Sequence, residues 1–305
     1  MAFAAFGGNA PAVAGGANRK GGKIVLALLL PGLIYLGLFF LTPLFSLIIT
    51  SLEAPDSSGA IGVYQYGFEI GNYWAVMTDY LPQIFRSFFY ALLATFFALL
   101  ISYPLAYFIG VKLRTRPMLQ RLLVTLVIAP FFISFLLRTI AWKQILSEGG
   151  AIMQWVHSVG LLGPSEYFIG TPAAVVFGLT YNFIPFMTLP LYTTLERFDV
   201  RLIEAGSDLY ASPAKVFRKI TFPISLPGVI SGTLLTFIPI TGDYVNASRD
   251  FLGSSKTSMI GNMVEADFLQ NLRYPTASAL SVLLMAVILV IVSVYVKKSG
   301  TEDLL

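Results

Sequence analysis

The sequence predicts an all-α polytopic membrane protein with six transmembrane helices, and three observations carry that prediction. The chain of 305 residues is 56% hydrophobic and only 12% charged, too little charge to cover a soluble domain of that size. Its apolar residues gather into six runs, at residues 24–52, 87–111, 122–137, 167–195, 220–242 and 274–296, and a bilayer-spanning helix needs roughly 20 such residues. No run alternates apolar and polar side chains with the period of two that a barrel strand requires, so the backbone must satisfy itself helically.

Each segment has its own signal. Residues 1–22 are rich in Gly and Ala, and their basic cluster follows rather than precedes them, the reverse of a cleaved signal peptide. They are expected to be a disordered tail, with residues 24–52 kept as an uncleaved first span. Residues 23–298 form the six-helix domain, and 299–305 a second tail. The third run, 122–137, is short at 16 residues. It reaches membrane length if it continues past Arg138 to Trp142, with the Arg snorkelling to the interface. Pro31, Pro43, Pro104, Pro130, Pro185, Pro190 and Pro239 lie within or near the spans, where each removes a backbone hydrogen bond and favours a kink, as in a bundle bent around a cavity.

Lys and Arg counts set the orientation. With both termini cytoplasmic, 14 of the 20 basic residues fall inside and 6 outside, as the positive-inside rule demands. Other classes lack their chemistry. There is no cysteine for a disulfide or thiolate, and one histidine, His157, too few for a catalytic or metal cluster. His157 sits beside Ile152, Trp155, Val156 and Val159, whose spacing suits an interfacial helix. The net charge of +4 is dispersed rather than patched, so no nucleic-acid surface is expected, and no cofactor is implied.

One segment breaks the apolar pattern: IEAGSDLYASPAKVFRK, residues 203–219, within a loop spanning 196–223. Ser212 then Pro213 reads as an N-cap and first helical residue. A short helix should run from Pro213 toward Lys219, placing Lys215, Arg218 and Lys219 at its C-terminal end and leaving Val216 and Phe217 as an apolar contact surface. Residues 204–209 form a second helix-prone piece, hinged to the first near Tyr210 and Ala211. Pieces this short need a partner. Either the pair rests among lipid headgroups, or it docks a cytoplasmic protein that drives the membrane helices.

The segment resembles the cytoplasmic loop of ABC importer permeases, in which Glu-Ala-Ala, three residues and Gly are followed nine residues later by Ile-x-Leu-Pro. It matches at Glu204, Ala205, Ile220 and Pro223, and departs at Gly206, at Tyr210 where Gly is expected, and at Phe222. LRTIAWKQIL from Leu137, FIPFMTLPLYTTLERFD from Phe183, GDYVNAS from Gly242 and MIGNMVEADFLQNLRYPTASALS from Met259 resemble the spermidine/putrescine type, over roughly Tyr35 to Val296. The resemblance implies a MetI-like six-helix permease in a bacterial inner membrane, paired with a second permease, nucleotide-binding ATPase subunits and an extracytoplasmic substrate-binding protein. It further implies that Glu204, Ala205, Gly206, Asp208, Tyr210, Ala211, Ser212, Pro213, Val216 and Phe217 couple the chain to the ATPase. The chain contains no G-x-x-x-x-G-K-[ST] phosphate loop, so ATP hydrolysis is expected on a separate subunit.

Polar groups at membrane depth mark pathways. Asn182, beside Tyr181, interrupts the fourth run, and Asp243, Tyr244 and Asn246 close the fifth. Asn182 reads equally as a helix-to-helix hydrogen bond, and Asp243 as a solvated loop acid or an N-cap. For a polyamine, carboxylates and aromatic faces are the required chemistry, which makes Trp142, Tyr181, Asn182, Asp243, Tyr244 and Asn246 the expected pathway. Another small solute is the alternative. A secondary transporter or channel lacks a reason for the loop, and an enzyme lacks clustered acids within the spans.

Overall fold

The computed structural model describes residues 19–160, 163 and 166–298. The expected tail residues 1–18 and 299–305 lie outside them. Of the described residues, those up to Ile49 form one compact unit and those from Thr50 a second. The first unit is a single helical rod: α1 (Arg19–Leu36), a wide π-helical turn (Gly37–Leu41) and α2 (Thr42–Thr50). Pro43 has no amide hydrogen and its ring presses on the carbonyl four residues back, at Phe39, and the wide turn absorbs that conflict.

In the second unit a two-residue antiparallel hairpin, β1 (Ala54–Pro55) with β2 (Tyr64–Gln65), pairs Ala54 with Gln65 and Pro55 with Tyr64. It precedes α3 (Gly71–Asp79) and α4 (Leu81–Tyr107), which continues through a π turn to Lys112. The second span therefore begins six residues before the expected Ser87. It takes in Arg86, whose charge is carried to the Ser258 carbonyl by a 2.9 Å hydrogen bond from Nη1. Charge alone excluded that turn from the apolar run.

The third span departs most from expectation. α5 (Pro117–Ile128) tightens into a 3₁₀ turn (Ala129–Phe132) at Pro130, the backbone extends at Ile133, and α6 (Phe135–Leu146) and α7 (Ala151–Ser158) follow. The two halves meet at 93°, so residues 122–137 are not one straight helix. Arg138 does not snorkel. It is 8% exposed and lies 5.7 Å from the centre of the Phe135 ring, with no hydrogen-bond partner for Nε or Nη1 among the described residues. On α7, His157 Nε2 lies 3.2 Å from the Glu166 carbonyl.

α8 (Pro172–Arg197) is the central helix, opened by Thr171, whose Oγ1 accepts from the Ala174 amide at 3.2 Å. The expected start at Tyr167 falls in the loop before this cap. After α9 (Arg201–Asp208), α10 (Pro213–Val216) runs through a π turn (Phe217–Thr221) into α11 (Phe222–Thr241), giving one helix of 29 residues. α12 (Ile260–Glu265), a π turn and α13 (Tyr274–Lys298) complete the chain. Among the described residues five helices are long and apolar enough to cross a membrane, and six if the bent pair counts as one span.

The core is where α4, α8 and α11 meet. Ala91, Ala94 and Ala98 line one face of α4, and with Tyr90, Val176, Leu179, Met187 and Val229 they fill two stacked clusters. Lipid offers no hydrophobic drive between helices, so association rests on close packing of small residues. Gly228 and Gly232, spaced as G-x-x-x-G on α11, supply it against α8. A Cβ at Gly228 would stand 2.9 Å from the Pro190 carbonyl oxygen, and one at Gly232 3.0 Å from that of Met187. Neither backbone oxygen can retreat without moving α8. Gly232→Val is therefore expected to destabilise the chain by about 1–3 kcal/mol through overpacking. Thermal denaturation of the detergent-solubilised subunit should show a lower midpoint, whereas Leu289→Val, at an exposed α13 position, should leave it nearly unchanged.

Candidate functional site

The residues singled out from the sequence sort to opposite ends of the bundle. At the end where α8 begins, Gly178 faces Asn246: a Cβ there would lie 2.6 Å from Asn246 Oδ1. One helical turn on, Asn182 uses that space. Its Nδ2 donates to Asn246 Oδ1 at 3.1 Å and to Thr139 Oγ1 at 3.2 Å, joining α8, α6 and the loop after α11. Asp243 then receives the Asn246 amide at 2.8 Å on Oδ1 and Asn246 Nδ2 at 3.2 Å on Oδ2.

Asn182 thus makes the helix-to-helix hydrogen bonds that were one of its two readings. Asp243 is not a solvated loop acid: at 8% exposure it is buried and closes the 243–246 turn. Just past the end of the span, burial raises its carboxyl from the usual 3.8 to about 6, against the opposing pull of hydrogen bonds from Asn246 and the Ala247 amide. Thr139, not singled out from the sequence, belongs to the network. Only its position, one turn of α6 after Phe135, could have pointed to it.

Trp142 and Tyr181 meet each other instead, with ring centres 5.2 Å apart and Phe177 packed on the same indole at 4.7 Å. Tyr244 joins neither group. Its ring is exposed, and its carbonyl accepts from Asn262 Nδ2 at 2.6 Å. Asn262 also accepts from the Met259 amide at 3.0 Å, which ties the 243–246 turn to α12. A cavity of about 470 Å³ between α4 and α8 is lined by Phe89, Leu93, Phe97, Val176 and Phe177 rather than by the polar network.

The other end carries the interrupted segment. Asp199 Oδ1 accepts from the Arg201 amide at 3.0 Å and starts α9. The helix stops in a Schellman motif: the Tyr210 amide donates to the Ser207 carbonyl at 2.9 Å and the Ala211 amide to that of Gly206 at 3.2 Å. This closure needs a left-handed residue, and Tyr210 takes it, with φ +55°. The hinge expected near Tyr210 and Ala211 is therefore built as a Gly-type cap with a Tyr in it, at a cost of about 1–2 kcal/mol.

Ser212 caps α10 differently from expectation. Its side chain makes no cap hydrogen bond, and its carbonyl accepts from the Lys215 and Val216 amides at 2.9 and 3.0 Å. No break follows Lys219 either: Pro223 acts on the carbonyl of Lys219, and the π turn at 217–221 takes up the conflict without ending the helix. Val216 is buried rather than free for contact, because α9 lies on it. A Cβ on Gly206 would meet Val216 Cγ2 at 3.2 Å and Ile220 Cδ1 at 2.9 Å, the movable ends of two side chains. Phe217 packs its ring on Tyr103 at 5.5 Å, and the Tyr103 hydroxyl shares a 2.7 Å hydrogen bond with Ser225 Oγ. Glu204, Ala205, Asp208 and Pro213 are exposed, while Arg114 binds the Leu195 carbonyl and ties the end of α8 to the α4–α5 turn. The strap of α9 and α10 is thus fastened to α4 and continuous with α11.

This arrangement of helices is that of an ABC importer permease. It is similar to a chain in the crystal structure of a bacterial alginate ABC transporter in complex with an alginate pentasaccharide-bound periplasmic protein, with a TM-score of 0.65, 18% identity, and coverage of 92% of this chain and 96% of that one. The chain belongs to the family of binding-protein-dependent transport system inner membrane components, whose pattern matches residues 102–298. It is 32% identical over 279 residues to the spermidine/putrescine transport system permease protein PotB of Haemophilus influenzae, covering 91% of this chain and 94% of that one. It is also 32% identical to PotB of Escherichia coli over 281 residues, with the same two coverages.

The raised Asp243 carboxyl gives a signed expectation. A carboxyl whose folded value lies above its unfolded one contributes stability that is present in full below about pH 4 and is lost as pH rises through about 6. Thermal midpoints of the natural chain and of Asp243→Asn, followed from pH 4 to 8, should show the natural chain losing ground to the variant across that window.

Proposed function

We propose that this chain is the permease subunit of an ATP-driven importer of polyamines of the spermidine and putrescine kind. It would form half of the translocation pathway, with a second permease subunit supplying the other half. The observation that carries the reading is the 32% identity to two spermidine/putrescine permeases along almost the whole chain. Both termini lie in the cytoplasm in this reading, with residues 1–22 and 299–305 as tails, because 14 of the 20 basic residues then fall on the inner side.

Energy enters through the loop at residues 196–223. Nucleotide-binding subunits grip the exposed face of α9 at Glu204, Ala205 and Asp208, together with Tyr210 and Pro213 at the start of α10, and hydrolyse ATP that this chain has no phosphate loop to hold. Because α10 passes into α11 without a break, a displacement of the strap reaches the fifth span as a rigid-body movement, and Phe217 on Tyr103 carries it to α4. An extracytoplasmic binding protein delivers the substrate at the opposite end. There the exposed Tyr244, the Trp142–Tyr181 pair and the carboxylate of Asp243 offer cation–π and ionic partners to successive ammonium groups, with Asn182 and Asn246 holding the turn that presents them. Opening of that turn would expose Asp243.

Two experiments test this. Purified alone, the chain should show no ATPase activity; with its nucleotide-binding subunit, activity should appear, and Glu204→Lys should lower recovery of that subunit or uncouple hydrolysis from uptake. Full-rate transport by the isolated chain would reject the importer reading. In cells expressing the complete system, unlabelled spermidine or putrescine should compete for uptake of labelled polyamine, and an amino acid or an organic anion should not. Asp243→Ala should reduce that uptake by about tenfold or more, on the scale of a lost ionic contact in a desolvated site.

A further inference from the structure

We propose that the Tyr210 ring, with Leu209 beside it, is an anchor that enters an apolar pocket on the nucleotide-binding subunit, and that the pocket carries a basic rim. The inference rests on the coupling reading above and adds the contact that makes it specific.

Two described residues other than Gly hold a left-handed backbone, Tyr210 at φ +55° and Leu272 at φ +54°. They differ in what their side chains do. Leu272 is used within the chain: its Cβ would lie 3.3 Å from a Cβ at Gly62, and its carbonyl accepts the Tyr64 hydroxyl at 3.1 Å. The backbone strain there is offset by contacts that hold the β-hairpin. Tyr210 makes no such side-chain contact among the described residues. Its ring is 99% exposed, and Leu209 next to it is 81% exposed.

The cap itself needs only the Tyr210 backbone. Its two closing hydrogen bonds come from the amides of Tyr210 and Ala211, and Gly would make them at lower conformational cost. A large aromatic ring at this position therefore works against the isolated chain on two counts, backbone strain and exposed apolar surface. Both are recovered if the ring is buried elsewhere. Rigid, exposed aromatic side chains are the usual anchors of protein interfaces.

Charge selects a protein over a lipid surface as the occupant. Asp208 lies two residues before Tyr210 and Glu204 a turn and a half before it, both exposed on α9. An anionic headgroup layer repels these carboxylates, whereas a protein pocket rimmed by Lys or Arg pairs with them. The basic residues of the segment stand farther off: Arg201, also exposed, is at the first turn of α9, and Lys215, Arg218 and Lys219 follow in the next helix, beyond the turn.

The test uses the assembled importer in lipid nanodiscs, with Tyr210→Gly and Tyr210→Phe. Gly relieves the backbone, so the thermal midpoint of the isolated chain should stay level or rise. The nucleotide-binding subunit should nevertheless dissociate at least about tenfold more readily, the scale of a lost anchor, and substrate-stimulated ATPase should fall with it. The Phe variant should retain most of both. If Tyr210→Gly holds the subunit as tightly as the natural chain, the ring is not an anchor. If instead the variant changes only binding of the chain to anionic vesicles, the ring serves the membrane and the proposal fails.

A cross-link separates this failure from that of the reading beneath it. The chain has no cysteine, so Ser207→Cys provides a single probe on α9. A cross-link from Ser207→Cys to the nucleotide-binding subunit, with Tyr210→Gly silent, overturns the anchor and leaves coupling intact. Absence of that cross-link in a complex that still transports overturns both.

Discussion

The contact on which the other features depend is the backbone approach of α11 to α8 at Gly228 and Gly232. In a bilayer the apolar side chains of two helices gain nothing by leaving lipid for each other, so the helices stay together through close packing where side chains are smallest. With both contact positions reduced to hydrogen, α11 lies against the carbonyls of Met187 and Pro190. The Ala-lined face of α4 packs against the same helix, in the clusters where all three helices meet. A three-helix core of this kind has little freedom to shear.

At one end the core meets a strap; at the other, a buried polar turn. α11 connects them, since the helix that begins at Pro213 ends at Thr241, two residues before Asp243. The prolines along this path are accommodated in different ways. Pro223 is absorbed by a widened turn and leaves the helix continuous, whereas Pro130, on the third span, coincides with a 93° break. The difference lies in what surrounds the freed carbonyl. A π turn keeps neighbouring backbone groups paired within the helix, while the 3₁₀ turn at residues 129–132 gives way to an extended Ile133 and a new start at Phe135.

The polar turn shows why buried polar groups in such proteins come as networks. Asn182 alone on α8 would leave an amide in an apolar surrounding, at a cost of a few kcal/mol. Bonded to Thr139 and Asn246, and through Asn246 to Asp243, it instead fixes how α6 and the 243–246 turn meet the central helix. One buried group of the network is left over: Asn182 Oδ1 has no hydrogen-bond partner among the described residues.

Much of this was legible in the residues themselves. Length, apolar runs and the absence of strand alternation determine the kind of spans and bring their number to five or six, because the bilayer thickness and the need to satisfy every backbone group leave few solutions. The sequence alone also locates the strap, as a charged, Pro-started segment between apolar runs, and its likeness to importer loops was carried by Glu204, Ala205, Ile220 and Pro223. What the tertiary structure decided were the matters set by neighbours distant in sequence. Arg138 is buried against Phe135 instead of reaching for the interface, Asp243 is enclosed, Tyr244 stays exposed, and Val216 lies under α9. Each depends on which helix packs where, and composition does not encode packing. The Gly228 and Gly232 pair stood in the sequence as G-x-x-x-G, but only the position of α8 shows which face it serves. Tyr210 joins the two levels: the departure from Gly is visible in the letters, and only the folded backbone, left-handed at that residue, shows that the turn was kept and the ring left outside.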